Sequence, residues 1–150
     1  MNESGAHSLH SRLTESQAKY AYFLLAIAAA AIGLVVRQTQ EARFQLAQIP
    51  LAAAVLCYGA SFFCGCKYIQ WMNATMRANV ALLQIQEGKH PGLPNHPQLI
   101  EAAADGVRQA AETNSAATAK YSRWQFRLLI AGAVFYLVWH VATMWGRSFS

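Results

Sequence analysis

The sequence predicts an all-α integral membrane protein. It has three transmembrane helices, the second and third extended into a cytosolic antiparallel helical hairpin. Uncharged runs at Tyr20–Val36, Pro50–Cys66 and Leu128–Gly146 are each about 17–19 residues long, near one bilayer span. Apolar residues make up 55% of the chain and charged residues only 13%, about half the usual charged share. From Pro97 onward, apolar or small residues recur at alternating steps of three and four: Ile100, Ala103, Val107, Ala110, Ala117, Tyr121, Trp124, Leu128, Ala131, Phe135, Val138, Ala142 and Trp145, with Asn114 as the polar break. Such a repeat is the seam of a helix that packs against other helices along its length. Its outward face carries Glu101, Asp105, Arg108, Glu112, Lys120 and Arg123 before the charge stops at Arg127.

Residues 1–19 are polar. Leu9, Leu13, Gln17 and Tyr20 share one face, which predicts a short amphipathic helix leading into the first span, with residues 1–6 frayed. The first two spans and their connection occupy residues 20–66. An uncleaved anchor fits the first run better than a signal peptide: Glu3 and Glu15 precede it, and Arg37-Gln38-Thr39-Gln40-Glu41 is no clean cleavage site. Ala26, Ala29, Ala30 and Gly33 form small-xxx-small pairs that allow close helix approach. Residues 37–49 read as a short outer loop, with Phe44, Leu46 and Ile49 on the membrane surface. Pro50 suits the first turn of the second helix. That helix has its own small ridge at Ala53, Cys57, Ser61 and Gly65.

The helical pattern passes Lys67 through Ile69, Met72, Met76, Val80 and Leu83, and Gly88 is a good terminator. Residues 67–122 are therefore the expected hairpin, with a Pro-rich tip at 88–97, and residues 123–146 the third span. Asn95 is the expected N-cap of the last helix. Met72, Met76 and Trp71 fit the hairpin core. Asn114 on the seam and Asn79 beside it are candidates for fixing register and oligomer state.

Basic residues set the expected orientation. Arg12, Lys19, Lys67, Arg77, Lys89, Arg108, Lys120, Arg123 and Arg127 fall on one side of the spans; Arg37, Arg43 and Arg147 fall on the other. The imbalance puts the N-terminus and hairpin in the cytoplasm and the C-terminus outside, in a multi-pass protein of a cell inner membrane. The net charge of +5 reports this orientation, and no aromatic-plus-basic motif points to nucleic acid. Tyr20, Tyr22, Tyr68, Trp71, Tyr121, Trp124 and Trp145 are the expected interfacial anchors.

His140 is the strongly polar side chain deep in a span. Tyr136 and Thr143 share its stripe, and Tyr58 with Cys57 is expected at similar depth. An intramembrane histidine is either a proton or ion contact or a neutral group hydrogen-bonded to Tyr58 or Tyr136 across a helix interface; base rates favour the second. Cys57, Cys64 and Cys66 read as small packing residues, since Cys64 and Cys66 point about 200° apart on a helix. His7, His10, His90 and His96 are spread over the cytosolic side and form no compact zinc set. No metal, cofactor or catalytic constellation is expected: the spans hold no carboxylate, and no phosphate loop or HExxH occurs.

Two close spans with a short outer loop and flanking cytosolic helices, over residues 8–87, resemble the SLATT-type membrane effector modules of bacterial defence and nucleotide-signalling systems. That likeness implies a membrane-perturbing or pore-forming effector, although the third span departs from the two-span pattern. Glu15-Ser16-Gln17-Ala18-Lys19-Tyr20 and Arg123-Trp124-Gln125-Phe126-Arg127 also resemble stretches of small uncharacterised bacterial inner-membrane proteins. The expected function is a homo-oligomeric helical assembly in the bilayer, a channel or pore-type effector gated or assembled through the hairpin by a cytosolic protein or small-molecule signal. The alternative is a non-conducting adaptor that recruits a cytosolic partner.

Overall fold

The computed structural model describes residues 3–39, 48–88 and 96–148, with side chains at 15–38, 48–88 and 96–145. These residues form three α-helices: α1 (Glu3–Thr39), α2 (Ile49–Gln86) and α3 (Pro97–Ser148). All three are long and apolar enough to cross a membrane. The central parts of the expected outer loop and of the Pro-rich tip, at 40–47 and 89–95, lie outside the described residues, as does Asn95.

The helix limits follow from local chemistry. α1 joins the polar N-terminal segment and the first apolar run without a break, because no proline or glycine lies between Ala6 and Ile32. Pro50 falls in the first turn of α2, where its missing N–H leaves no helical bond unmade. α2 stops at a left-handed glycine: Gly88 has φ 67°, and its N–H donates to the Ile85 carbonyl at 3.1 Å. A side chain would be strained there. At the start of α3, the His96 carbonyl accepts from the N–H groups of Leu99 at 3.0 Å and Ile100 at 3.1 Å. His96 therefore holds the N-cap position expected of Asn95, and Pro97 is the first helical residue.

The chain divides into two compact units, Met1–Cys66 with Ser122–Ser150, and Lys67–Tyr121. In the first, three helices share one core. Ala21, Leu24, Ala28 and Val35 of α1 are buried, as are Leu51, Ala54, Tyr58 and Ser61 of α2, and Gln125 and Leu129 of α3. On α2 the buried row continues at Gly65, so the steps are three, four, three, four: the signature of a packed helical seam.

The phase of that seam on α3 differs from the sequence expectation by one residue. In the apolar part the row facing its own chain is Gln125, Leu129, Gly132, Tyr136, Trp139 and Thr143, all buried or half-buried. Phe135, Val138, Ala142 and Trp145 of the expected seam are exposed. Every side of this stretch is apolar, so hydrophobic periodicity has no contrast with which to set a phase.

In the second unit, Tyr68, Met72 and Ile85 are buried, and Trp71 and Met76 are half-buried. Asn114 is half-buried and its backbone carbonyl accepts from Thr118 Oγ1 at 2.8 Å; Asn79 is exposed. Arg108 pairs with Asp105 one turn back at 3.0 Å.

Candidate functional site

The three-helix core is held by two glycine notches and a polar row on α3. In the first notch, Ser61 of α2 is fully buried, and its Oγ donates to the backbone carbonyl of Gln125 at 2.7 Å. Gly65, one turn further along α2, leaves a hollow. The Gln125 amide fills it: a Cβ at position 65 would lie 2.6 Å from Gln125 Nε2 and 2.7 Å from Leu25 Cδ2 of α1. Gln125 is 1% exposed, yet its Nε2 makes no hydrogen bond. A buried donor left unmade costs on the order of 1–3 kcal/mol. Sequence reading passed over Gln125; the available signal was one polar residue between Trp124 and Phe126, a single step off the expected seam.

The second notch is Gly132. The Tyr58 ring lies against it, so that a Cβ there would sit 2.7 Å from Tyr58 Cε1. Leu24, Ala28, Ala54 and Leu129 complete the surrounding cluster, with Ala31, Ile32 and Tyr136 packed on it. Tyr58 is consequently level with Gly132, two helical turns or about 12 Å before His140. This corrects the expectation that Tyr58 and His140 share a depth: the ring has taken the glycine hollow instead.

Further along α3 the polar stripe is arranged by its own helix. The Tyr136 and His140 rings are nearly parallel, 11° apart in tilt with centroids 6.3 Å apart. Trp139 leans on both, at 5.9 and 6.4 Å. The Tyr136 hydroxyl donates across to Gln38 Oε1 of α1 at 3.2 Å rather than to the histidine. Thr143 Oγ1 lies 3.0 Å from the Trp139 carbonyl and 2.8 Å from that of His140, so it serves the backbone of the stripe and not the imidazole. The His140 ring is exposed, while Trp139 Nε1 is a buried donor without a partner.

The small residues divide between two environments. On α2, Ser61 and Gly65 are buried inside the chain, and Ala53 and Cys57 are half-buried. On α1, Ala26, Ala29, Ala30 and Gly33 are all exposed, and nothing lies within 4 Å of a Cβ built on Gly33. The α1 residues that face the core are the alternate set, Leu24, Ala28 and Val35. Cys57, Cys64 and Cys66 are free thiols. Among the described residues no group of three His, Cys, Asp or Glu side chains is placed to hold a metal ion.

The arrangement is one of interlocked packing. Rings and an amide fill hollows left by glycine, and hydroxyls occupy spare carbonyl lone pairs. Comparison of the chain with family models, curated proteins and solved structures gives no match.

Proposed function

We propose that this chain is a three-span protein of a bacterial inner membrane that assembles with copies of itself, with a passage or an openable seam between subunits. The observation that carries the reading is the exposure of His140 inside an uncharged run of α3. An ionisable side chain facing lipid is costly, whereas one facing a neighbouring subunit or a wet passage is not. Two further features support it. Only 11% of the apolar part of α3 is buried within the chain. The small ridge Ala26, Ala29, Ala30 and Gly33 is open to a neighbouring helix, a geometry that lipid packing alone does not require. The glycine hollows of the single-chain core are filled by Gln125 and Tyr58, so the passage lies between chains rather than through one.

In this reading Lys67–Tyr121 is a cytosolic helical hairpin that senses or assembles, the N-terminus is cytoplasmic and the C-terminus lies outside. Val80, Leu83 and Leu99 of that unit are large apolar side chains left exposed, which favours a second reading in which it docks a cytosolic protein and nothing is conducted.

Ion flux from liposomes containing the purified protein, together with the subunit count of the solubilised particle, separates the two. Leakage from an oligomer supports a passage. Tight liposomes and a co-purifying soluble protein support the adaptor. A cysteine placed at position 92 should be labelled only from the cytoplasm, and one at position 40 only from outside; the reverse pattern would invert the topology.

A further inference from the structure

We infer that the three-helix unit thins the bilayer where α1 and α3 adjoin. The inference rests on the three-span reading above and does not depend on self-assembly. Contacts fix the register of the spans. Leu25 of α1 and Gln125 of α3 both reach the hollow at Gly65 of α2, and the Tyr136 hydroxyl of α3 meets Gln38 of α1. α1 and α3 therefore run parallel, offset by 100 residues at one level and 98 at the other. By that offset the uncharged run Tyr20–Val36 lies level with about Lys120 to Val134 of α3, whereas the uncharged run of α3 itself is Leu128–Gly146. Each run is near one span in length, but the two are staggered by about 12 Å or more along the axis.

The stagger sets charge beside lipid-compatible surface. Arg127 stands level with Ile27 of α1 and, through the Tyr58–Gly132 and Gly65–Gln125 contacts, with Phe63 of α2. Arg37, next to Gln38, stands level with about Phe135 of α3. Both arginines are exposed, and so are Ile27, Phe63 and Phe135. From Arg127 to the level of Arg37 is eight residues, about 12 Å, against a hydrocarbon core of about 30 Å. Arginine stems let each charge snorkel outward by a few ångströms, which narrows the mismatch without closing it. Tilt does not close it either. Neighbouring axes lie about 8–10 Å apart, so levelling 12 Å takes a tilt of about 50° or more, beyond the usual range of about 0–40°. The rest of the adjustment falls to the lipid. Outer headgroups sink beside α1 toward Arg37, inner headgroups rise beside α3 toward Arg127, and the hydrocarbon is thinnest between them.

The test places full-length protein in phosphatidylcholine vesicles whose monounsaturated chains run from about 14 to about 22 carbons. Quenching of the protein's tryptophans by brominated lipid of each length gives the relative affinity. Affinity should be highest at the short end and fall about fivefold by the long end, the scale of a mismatch of several ångströms. Arg37→Leu with Arg127→Leu should move the optimum to about 18 carbons or longer, while Arg37→Lys with Arg127→Lys should keep it short. Both positions are exposed, so the core contacts are left alone. In the wild type, an optimum at about 18 carbons or longer, or no dependence on length, would overturn the thinning. So would a short-chain optimum that survives the double leucine variant. Carbonate washing of the vesicles separates this from the reading beneath it. Release of the protein overturns the membrane assignment and the thinning with it; retention without a short-chain preference overturns the thinning alone.

Discussion

Ser61 and Gln125 meet through a hydroxyl and a backbone carbonyl, 2.7 Å apart, while the Gln125 amide turns aside into the hollow above Gly65. The contact fixes α2 against α3 without using the polar end of the glutamine. The two residues should therefore respond in opposite ways. Ser61→Ala removes a hydrogen bond and should cost about 0.6 kcal/mol, the usual size inside membrane proteins. Gln125→Leu removes an unpaired buried amide and should be neutral or stabilising, by up to about 1–3 kcal/mol. Thermal denaturation in detergent measures both. A large loss in Gln125→Leu would mean that the amide has a partner or a task.

The glycines should separate by position. Gly65→Ala and Gly132→Ala place a methyl within 3 Å of Gln125 and Tyr58, and overpacking of this kind costs about 1–3 kcal/mol. Of the two, Gly132→Ala should cost more, because a buried ring yields less readily than the end of a glutamine. Gly59→Ala and Gly106→Ala meet open space and should gain slightly from helix propensity. Equal melting temperatures across the four variants would contradict the notched packing.

Gly33 offers a test of self-assembly that leaves the single-chain core alone. Ala29→Leu with Gly33→Leu adds bulk on the exposed side of α1, where a Cβ on Gly33 meets nothing. Monomer stability should hold while the particle loses mass by light scattering. Ser61→Leu with Gly65→Leu should do the reverse and damage the fold itself. A particle of unchanged size in the α1 pair would assign that ridge to lipid.

His140 should prove a poor structural residue. Its ring is exposed and stacks on Tyr136 without taking the Tyr136 hydroxyl, so His140→Leu and His140→Gln should each change stability by less than about 1 kcal/mol. This shifts the base-rate expectation of a buried, hydrogen-bonded histidine toward one available to a neighbour. If it lines a passage, His140→Leu and His140→Gln should each alter ion flux from liposomes while the particle keeps its size and melting temperature. Unchanged flux in both variants would place the passage elsewhere.

The three helices, both ends of α2 and the start of α3 were legible in the sequence to within a residue or two, whereas α1 begins at Glu3, inside the segment expected to be frayed. Pro50, Gly88 and Pro97 act through backbone chemistry that needs no tertiary knowledge. Which face of each apolar helix turns inward was not. On α1, Ala26 and Ala30 read as well as Leu24 and Ala28 for the packed side, and only the second pair is buried. On α3, Leu128 and Leu129 are equally apolar neighbours, yet they stand on opposite sides of the one-residue phase error. Lipid-compatible helices lack the wet face that marks the dry one in water-soluble proteins. The better markers proved to be the sparse hydroxyls Ser61 and Tyr136, because a hydroxyl in such a helix belongs where another helix can answer it, as Gln125 and Gln38 do here. The level of Tyr58 was beyond reach for a different reason: a ring seats wherever a partner glycine leaves room, and no single sequence pairs residues 58 and 132.

That pairing has an evolutionary consequence. Residues 65 with 125, and 58 with 132, are each a lock and its key, so neither member of a pair is free to change alone. Divergent relatives of this chain should preserve the sum of the volumes at each pair while exchanging which helix supplies the bulk. Correlated substitution at those two pairs, against independent drift at Gly59 and Gly106, would then identify a relative even where overall identity has decayed.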